Sequence, residues 1–277
     1  MRLILAMILL ALVACATNPY TERSQFLLLP ESYDLSLGAQ AYDHVLHDPK
    51  VKISHDPREV EPVKRVAARI IEAAKSSRYA ERAKQFDWEV SVIKDDKTMN
   101  AFALPGGKIA VYTGIFPVAK NEAGLAAILG HEVTHALARH GAERMSEGVV
   151  AELVLEGAAI GLASKGSSQA TTQATMAALG LGANVGVMLP FSRAHESEAA
   201  HIGLLLAAQA GYDPHEAVHV WERMEQLSKG QSPEFLSTHP GHGTRIKQLE
   251  DWMPEALSYY HPQPGFHAAD LPPLAPR

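Results

Sequence analysis

An α+β fold, mostly helical with a small β-sheet and hairpin beside one apolar helix, is the class predicted by this 277-residue sequence. Three observations predict it. Apolar residues recur at threes and fours from Pro57 onward, the period shortens to two around Trp88–Ile93, and a long proline-free helical pattern begins after Asn121. A hydrophobic content of 47% suits a packed core. The formal charge of -6 argues against a nucleic-acid partner, because such binders carry a basic excess that replaces counterions.

The chain opens with one basic residue, Arg2, and an uncharged apolar stretch from Leu3 to Ala14. That stretch is too short to span a bilayer and has the layout of a secretory signal. Leu12-Val13-Ala14-Cys15 resembles the lipobox of bacterial lipoproteins, in which the cysteine is lipidated and becomes the new N-terminus. Ala16 resembles an outer-membrane sorting signal. Cys15 is the only cysteine, so no disulfide forms within the chain.

Phe26–Leu29 reads as a short strand and Ser36–Leu46 as a helix. Over Pro57–Lys84, Val60, Val63, Val66, Ala67, Ile70, Ile71 and Ala74 form one apolar helix face. Ala101–Leu104 and Lys108–Tyr112 flank Pro105-Gly106-Gly107, the pattern of a hairpin. Asn121 is placed to cap a helix running to about Met145. Residues 146–191 read as packed small-residue helices with a loop near Gly166; the uncharged stretch Gln169–Pro190 contains too much Gly, Gln and Thr for a membrane span. Ser192 is placed to cap a helix to Ala210, stopped by Gly211, and Pro214–Leu227 and Thr244–Trp252 supply the last helices. From Pro262 the chain reads as an unstructured proline-rich tail.

The helix after Asn121 carries His131-Glu132-Val133-Thr134-His135. Histidines four apart on a helix differ in direction by about 40°, so both reach one ion, and Glu132 lies about 100° from His131, within reach of a water at that ion. Zinc lowers the pKa of a bound water from about 16 to about 7, so a nearby carboxylate can take its proton during attack on a peptide carbonyl. A catalytic zinc also needs a third protein ligand and an open position. His140 misses the spacing for that ligand: nine residues after His131, it points about 180° away while the chain remains helical. It reads instead as a solvated histidine or a helix-end cation. In Ser192–Leu204, Glu196 falls on the helix face of Ala199, Ala200, Gly203 and Leu204, whereas Glu198 and His201 fall farther from it. Spacing alone leaves this assignment open.

Four segments, NAFALPGGKIAVYTG from Asn100, LGHEVTHALARH from Leu129, SRAHESEAAHIGL from Ser192 and STHPGHGTRI from Ser237, resemble in order the HExxH zinc metallopeptidases that include HtpX, the CAAX prenyl protease and the lipoprotein proteases BepA and LoiP. The resemblance covers most of residues 20–252. It implies a zincin-type domain over 36–260, after a signal peptide at 1–14 and a lipid-tethered segment at 15–35, with the tail at 261–277. It further implies one zinc ion held by His131, His135 and Glu196, with Glu132 as general base. His239 matches a histidine near the active site that stabilises the oxyanion or blocks the open zinc position. Asn100, Ala101 and Phe102 match an edge strand on which substrate pairs. The implied function is an endopeptidase for misfolded or misassembled envelope proteins, periplasmic and anchored to the outer membrane through Cys15; a homo-oligomer is compatible with it. The alternative is a zinc-bearing chaperone that cleaves little. One position departs from the family: its E-x-x-x-D pattern has Ala200 where the aspartate stands.

Overall fold

The computed structural model describes residues 15–148, 191–227, 235, 239, 242–262 and 267–274. The sequence expectations for 1–14 and for most of 146–191 lie outside these. The elements are β1 (Cys15–Thr17), β2 (Ser24–Phe26), α1 (Glu31–Leu46), α2 (Pro57–Lys75), α3 (Ala80–Gln85), β3 (Glu89–Ile93), β4 (Ala101–Leu104), β5 (Lys108–Tyr112), α4 (Phe116–Ala119), α5 (Glu122–Leu137), α6 (Arg193–Gln209), α7 (His215–Leu227) and α8 (His242–Tyr259). The class is α+β, as predicted.

Strand order in the larger sheet is β3-β5-β4, with β4 antiparallel to β5 and β3 parallel to it. Side chains of β5 alternate between two cores: Ile109 and Val111 join the main one, while Ala110 and Tyr112 face Ala41, Tyr42 and Val45 of α1. Both sheet faces are therefore covered, which is why β5 is buried throughout. Gly106 and Gly107 take φ of 86° and 84°, the left-handed backbone that the hairpin needs.

Helix α5 is buried on every side except at Ala127. Its N-terminus is capped by Asn121, whose Oδ1 accepts from Gly124 N at 2.9 Å. It packs on β4, α2, α6 and α7. The α5–α6 contact is made backbone to backbone at Gly130 and Gly203: a Cβ on Gly203 would lie 2.6 Å from His131 N.

Two sequence expectations are corrected here. The helix from Asn121 does not run to Met145; it ends at Leu137, Arg139 turns with φ of 57°, and residues 140–148 begin a new helical stretch. The proline-rich tail is not unstructured where it is described. Ala269 O accepts from Glu122 N at 2.9 Å, Leu271 N donates to Lys120 O at 2.9 Å, and Leu271 is buried in the main core. These contacts give the first turn of α5 an acceptor that the helix itself cannot supply. The segment after Cys15 packs on the domain: Cys15 pairs with Phe26, and Gln25 Nε2 donates to Ala138 O at 2.7 Å.

Candidate metal centre

His131 and His135 project from consecutive turns of α5, and Glu196 from the first turn of α6, whose N-cap Ser192 accepts from His195 N at 3.2 Å. The Gly130–Gly203 crossing brings the two helices close enough for these side chains to converge. His135 Nε2 lies 3.1 Å from His131 Nε2 and 3.3 Å from Glu196 Oε1, and His131 Nε2 lies 3.4 Å from Glu196 Oε2. His239 joins them: its Nδ1 is 2.7 Å from Glu196 Oε1 and 3.2 Å from His131 Nε2. One ligand atom from each of the four residues lies within 4.8 Å of the others, and all four residues are buried.

The structure brings His131, His135, Glu196 and His239 together, while the neighbours of Glu196 point elsewhere. Glu198 turns to Arg23 and His140, and His201 stacks on Trp252 and pairs with Glu255.

The donor set fits a zinc ion. Burial pushes His131 down to about 4 and His135 well below the ordinary range, so both imidazoles are neutral and offer lone pairs. Burial opposes ionisation of Glu196, yet His239, His131 and His135 hold it well below the carboxylate range. Glu132 Oε1 and Glu196 Oε2 are buried and accept no hydrogen bond. The nearest donors stand at 3.5 Å or just under, His239 Nε2 from Glu132 Oε1 and His131 Nε2 and Arg245 Nη2 from Glu196 Oε2, so a bound cation would satisfy acceptors that the side chains alone do not. Two imidazoles and a carboxylate are the ligand chemistry of hydrolytic zinc.

Glu132 points beside this cluster, with Oε1 3.5 Å from His239 Nε2. Burial pushes its pKa up to about 8. A dication nearby works in the opposite direction and favours the ionised base. Arg245 completes the shell, donating through Nη1 to Glu196 O at 3.2 Å.

Strand β4 borders the centre along α5. Asn100 O accepts from Tyr112 N at 3.1 Å, so in an antiparallel ladder Phe102 also faces β5, while Ala101 and Ala103 face the other edge. That edge pairs with no strand among the described residues. Ala101 N is occupied by Asn100 Oδ1 at 2.9 Å, leaving Ala103 as the residue best placed to pair in both senses. Phe235 N donates to Met99 O at 3.2 Å, and His239 N to Phe235 O at 3.0 Å, so His239 is tied through Phe235 to the start of this edge.

The reading of His140 as solvated or cationic is corrected. It is fully buried, and burial pushes it down to about 4. The helical projection failed because Arg139 reverses the chain, turning the ring back towards His135. Sequence reasoning also missed Arg23 and Glu143 and set Glu198 aside; the three bracket His140 and His195. Their only signal was a set of charged residues flanking otherwise apolar segments.

The chain matches the model of peptidase family M48 over residues 58–253. It is 37% identical to the mitochondrial metalloendopeptidase OMA1 of Schizosaccharomyces pombe, across 86% of this chain and 66% of that protein. It is 33% identical to the mitochondrial metalloendopeptidase OMA1 of Homo sapiens, across 87% of this chain and 46% of that protein. To the beta-barrel assembly-enhancing protease of Escherichia coli it is 34% identical, across 54% of this chain and 31% of that one. The chain therefore spans between about a third and two thirds of the length of these curated relatives.

These matches overturn the predicted location. The relatives that align over most of the chain are mitochondrial endopeptidases, not outer-membrane lipoproteins of the periplasm. A short apolar leader and a lone cysteine carry little information about compartment compared with alignment across 86% of the chain. The family match covers residues 58–253, which include His131, Glu132, His135, Glu196 and His239, and the chain belongs to peptidase family M48.

Proposed function

We propose that this chain hydrolyses internal peptide bonds of misfolded or misassembled proteins, with one zinc ion held by His131, His135 and Glu196. The observation that carries the reading is the convergence of those three side chains beside Glu132 and beside the strand edge offered by β4. An extended chain pairing with Ala103 would bring a carbonyl past the centre by backbone recognition alone, which suits unfolded substrates of varied sequence. The chemistry that zinc supplies when bound is polarisation of that carbonyl and acidification of water. Glu132 accepts the proton of the attacking water and returns it to the leaving amine.

His239 Nδ1 lies 2.7 Å from Glu196 Oε1 and its Nε2 3.5 Å from Glu132 Oε1, a place that serves either stabilisation of the oxyanion or blocking of the open zinc position in a resting form. The weakly cleaving chaperone reading draws on the blocking role and on Ala200.

Casein digestion by the zinc-loaded chain separates the two. Endopeptidase activity should fall about 10²- to 10⁴-fold in Glu132→Gln and vanish with chelator. Digestion unchanged by both overturns the enzyme reading; no digestion by the wild-type chain, with zinc bound, favours the chaperone.

A further inference from the structure

His135 turns Nε2 towards the metal centre and Nδ1 away from it. Nδ1 lies 2.9 Å from His140 Nδ1. An imidazole that offers its Nε2 lone pair to a cation keeps its proton on Nδ1, so His135 donates and His140 Nδ1 accepts. His140 then carries its own proton on Nε2, which lies 3.1 Å from Glu198 Oε2. A single assignment of protons satisfies every member of the chain.

The chain ends on a carboxylate that is itself fixed. Glu198 accepts from Arg23 Nε at 2.9 Å and Arg23 Nη2 at 2.7 Å, and it is bonded by Thr21 Oγ1. His195 stacks on His140 with ring centroids 4.5 Å apart and planes 16° apart, and is held by Glu143 at 3.1 Å. His140, His195 and Glu198 are all buried. None of these groups belongs to the converging ligand set.

Ala200 and His131 border a cavity of about 20 Å³ whose remaining walls, among them Leu204, Met224 and Trp221, are apolar. The aspartate expected at position 200 would have stood there.

We propose that Glu198, acting through His140, is the positioning carboxylate for His135, and that Arg23 fixes it, so that the centre keeps one carboxylate–histidine tether despite Ala200. The inference rests on the zinc site of the proposed function. An outer partner of this kind orients the ligand ring and raises its basicity, and its loss costs about 10- to 100-fold in metal affinity.

Two measurements on the full chain test it. Zinc affinity by chelator competition should fall about 10- to 100-fold in Glu198→Gln and in His140→Phe, which keeps the stacked ring, and the double variant should be no worse than either single one. Ring-nitrogen NMR of the zinc-loaded wild-type chain, which requires no variant to fold, should show His135 protonated at Nδ1 and His140 at Nε2. Affinities within threefold of wild type, or His140 protonated at Nδ1, overturn the proposal. A wild-type chain that binds no zinc overturns the metal reading beneath it, a distinct failure.

Discussion

Replacing Gly203 by alanine tests whether the crossing of α5 and α6 sets the metal centre. The added Cβ would meet His131 N at 2.6 Å, Gly130 C at 2.7 Å and His131 Cα at 2.8 Å, all backbone atoms that cannot rotate away. Ordinary contact begins at 3.4 Å, so the helices must part by about 0.8 Å. Metal–ligand distances tolerate only about 0.2 Å. Overpacking of this kind costs up to about 3 kcal/mol, and the better helix propensity of alanine returns about 1 kcal/mol. The net loss of about 2 kcal/mol lowers Tm by roughly 4–8 °C in a domain of this size. Zinc affinity should fall at least about tenfold, because Glu196 moves with α6 away from His131 and His135. Differential scanning calorimetry of the metal-stripped chain and chelator competition read the two effects separately. Gly141→Ala is the control: its Cβ would meet nothing within 4 Å, and Tm should hold or rise. A Gly203→Ala chain with wild-type Tm and wild-type zinc affinity refutes the reasoning.

Further predictions concern the groups around the centre. Arg23→Met strands Glu143 and Glu198, both about 95% buried, and should cost about 2–3 kcal/mol at pH 7, somewhat below a fully buried pair because Arg23 is 26% exposed. Burial opposes ionisation of both acids, but hydrogen bonds from Arg23, with His195 for Glu143 and His140 for Glu198, hold Glu143 far below its ordinary value and Glu198 at about 2. Depressed carboxylates contribute stability that is present above about pH 4.5 and lost as pH falls towards about 2, so urea midpoints should fall more steeply there in the wild type than in Arg23→Met; equal acid slopes contradict this. Ala200→Asp should tighten zinc by about tenfold through His131 while lowering the Tm of the metal-stripped chain, since the carboxylate enters an apolar cavity; no gain in affinity rejects it. Leu271→Asp should destabilise the chain by about 2 kcal/mol through lost burial beside α5, and an unchanged urea midpoint would show that the tail contributes nothing.

Periodicity made much of this fold legible. The caps at Asn121 and Ser192, the β4–β5 hairpin around Gly106 and Gly107, and the helix carrying His131 and His135 all stand where residue spacing placed them. Glu196 needed more, because a helical wheel for α6 does not know which face meets α5; the Gly130–Gly203 contact decides it. The parallel pairing of β3 with β5 was not legible, since period-two patterns are the same for either direction. His140 was misread because a single left-handed residue, Arg139, ends the helical projection without a glycine to announce it. The tail was misread because its proline content speaks to local stiffness and not to the backbone groups of Lys120 and Glu122 waiting for partners.

The two fastenings of α5 have a consequence in time. At one end, Glu122 and Lys120 are completed by residues near 270; at the other, Ala138 is completed by Gln25, 113 residues distant in sequence. Contacts of such long range form late, after loop closure has been overcome and most local structure exists. A chain that has already exposed HEVTH still lacks the segment near residue 270 that completes the first turn of this helix, so the helix reaches its final stability only once nearly the whole sequence has been made.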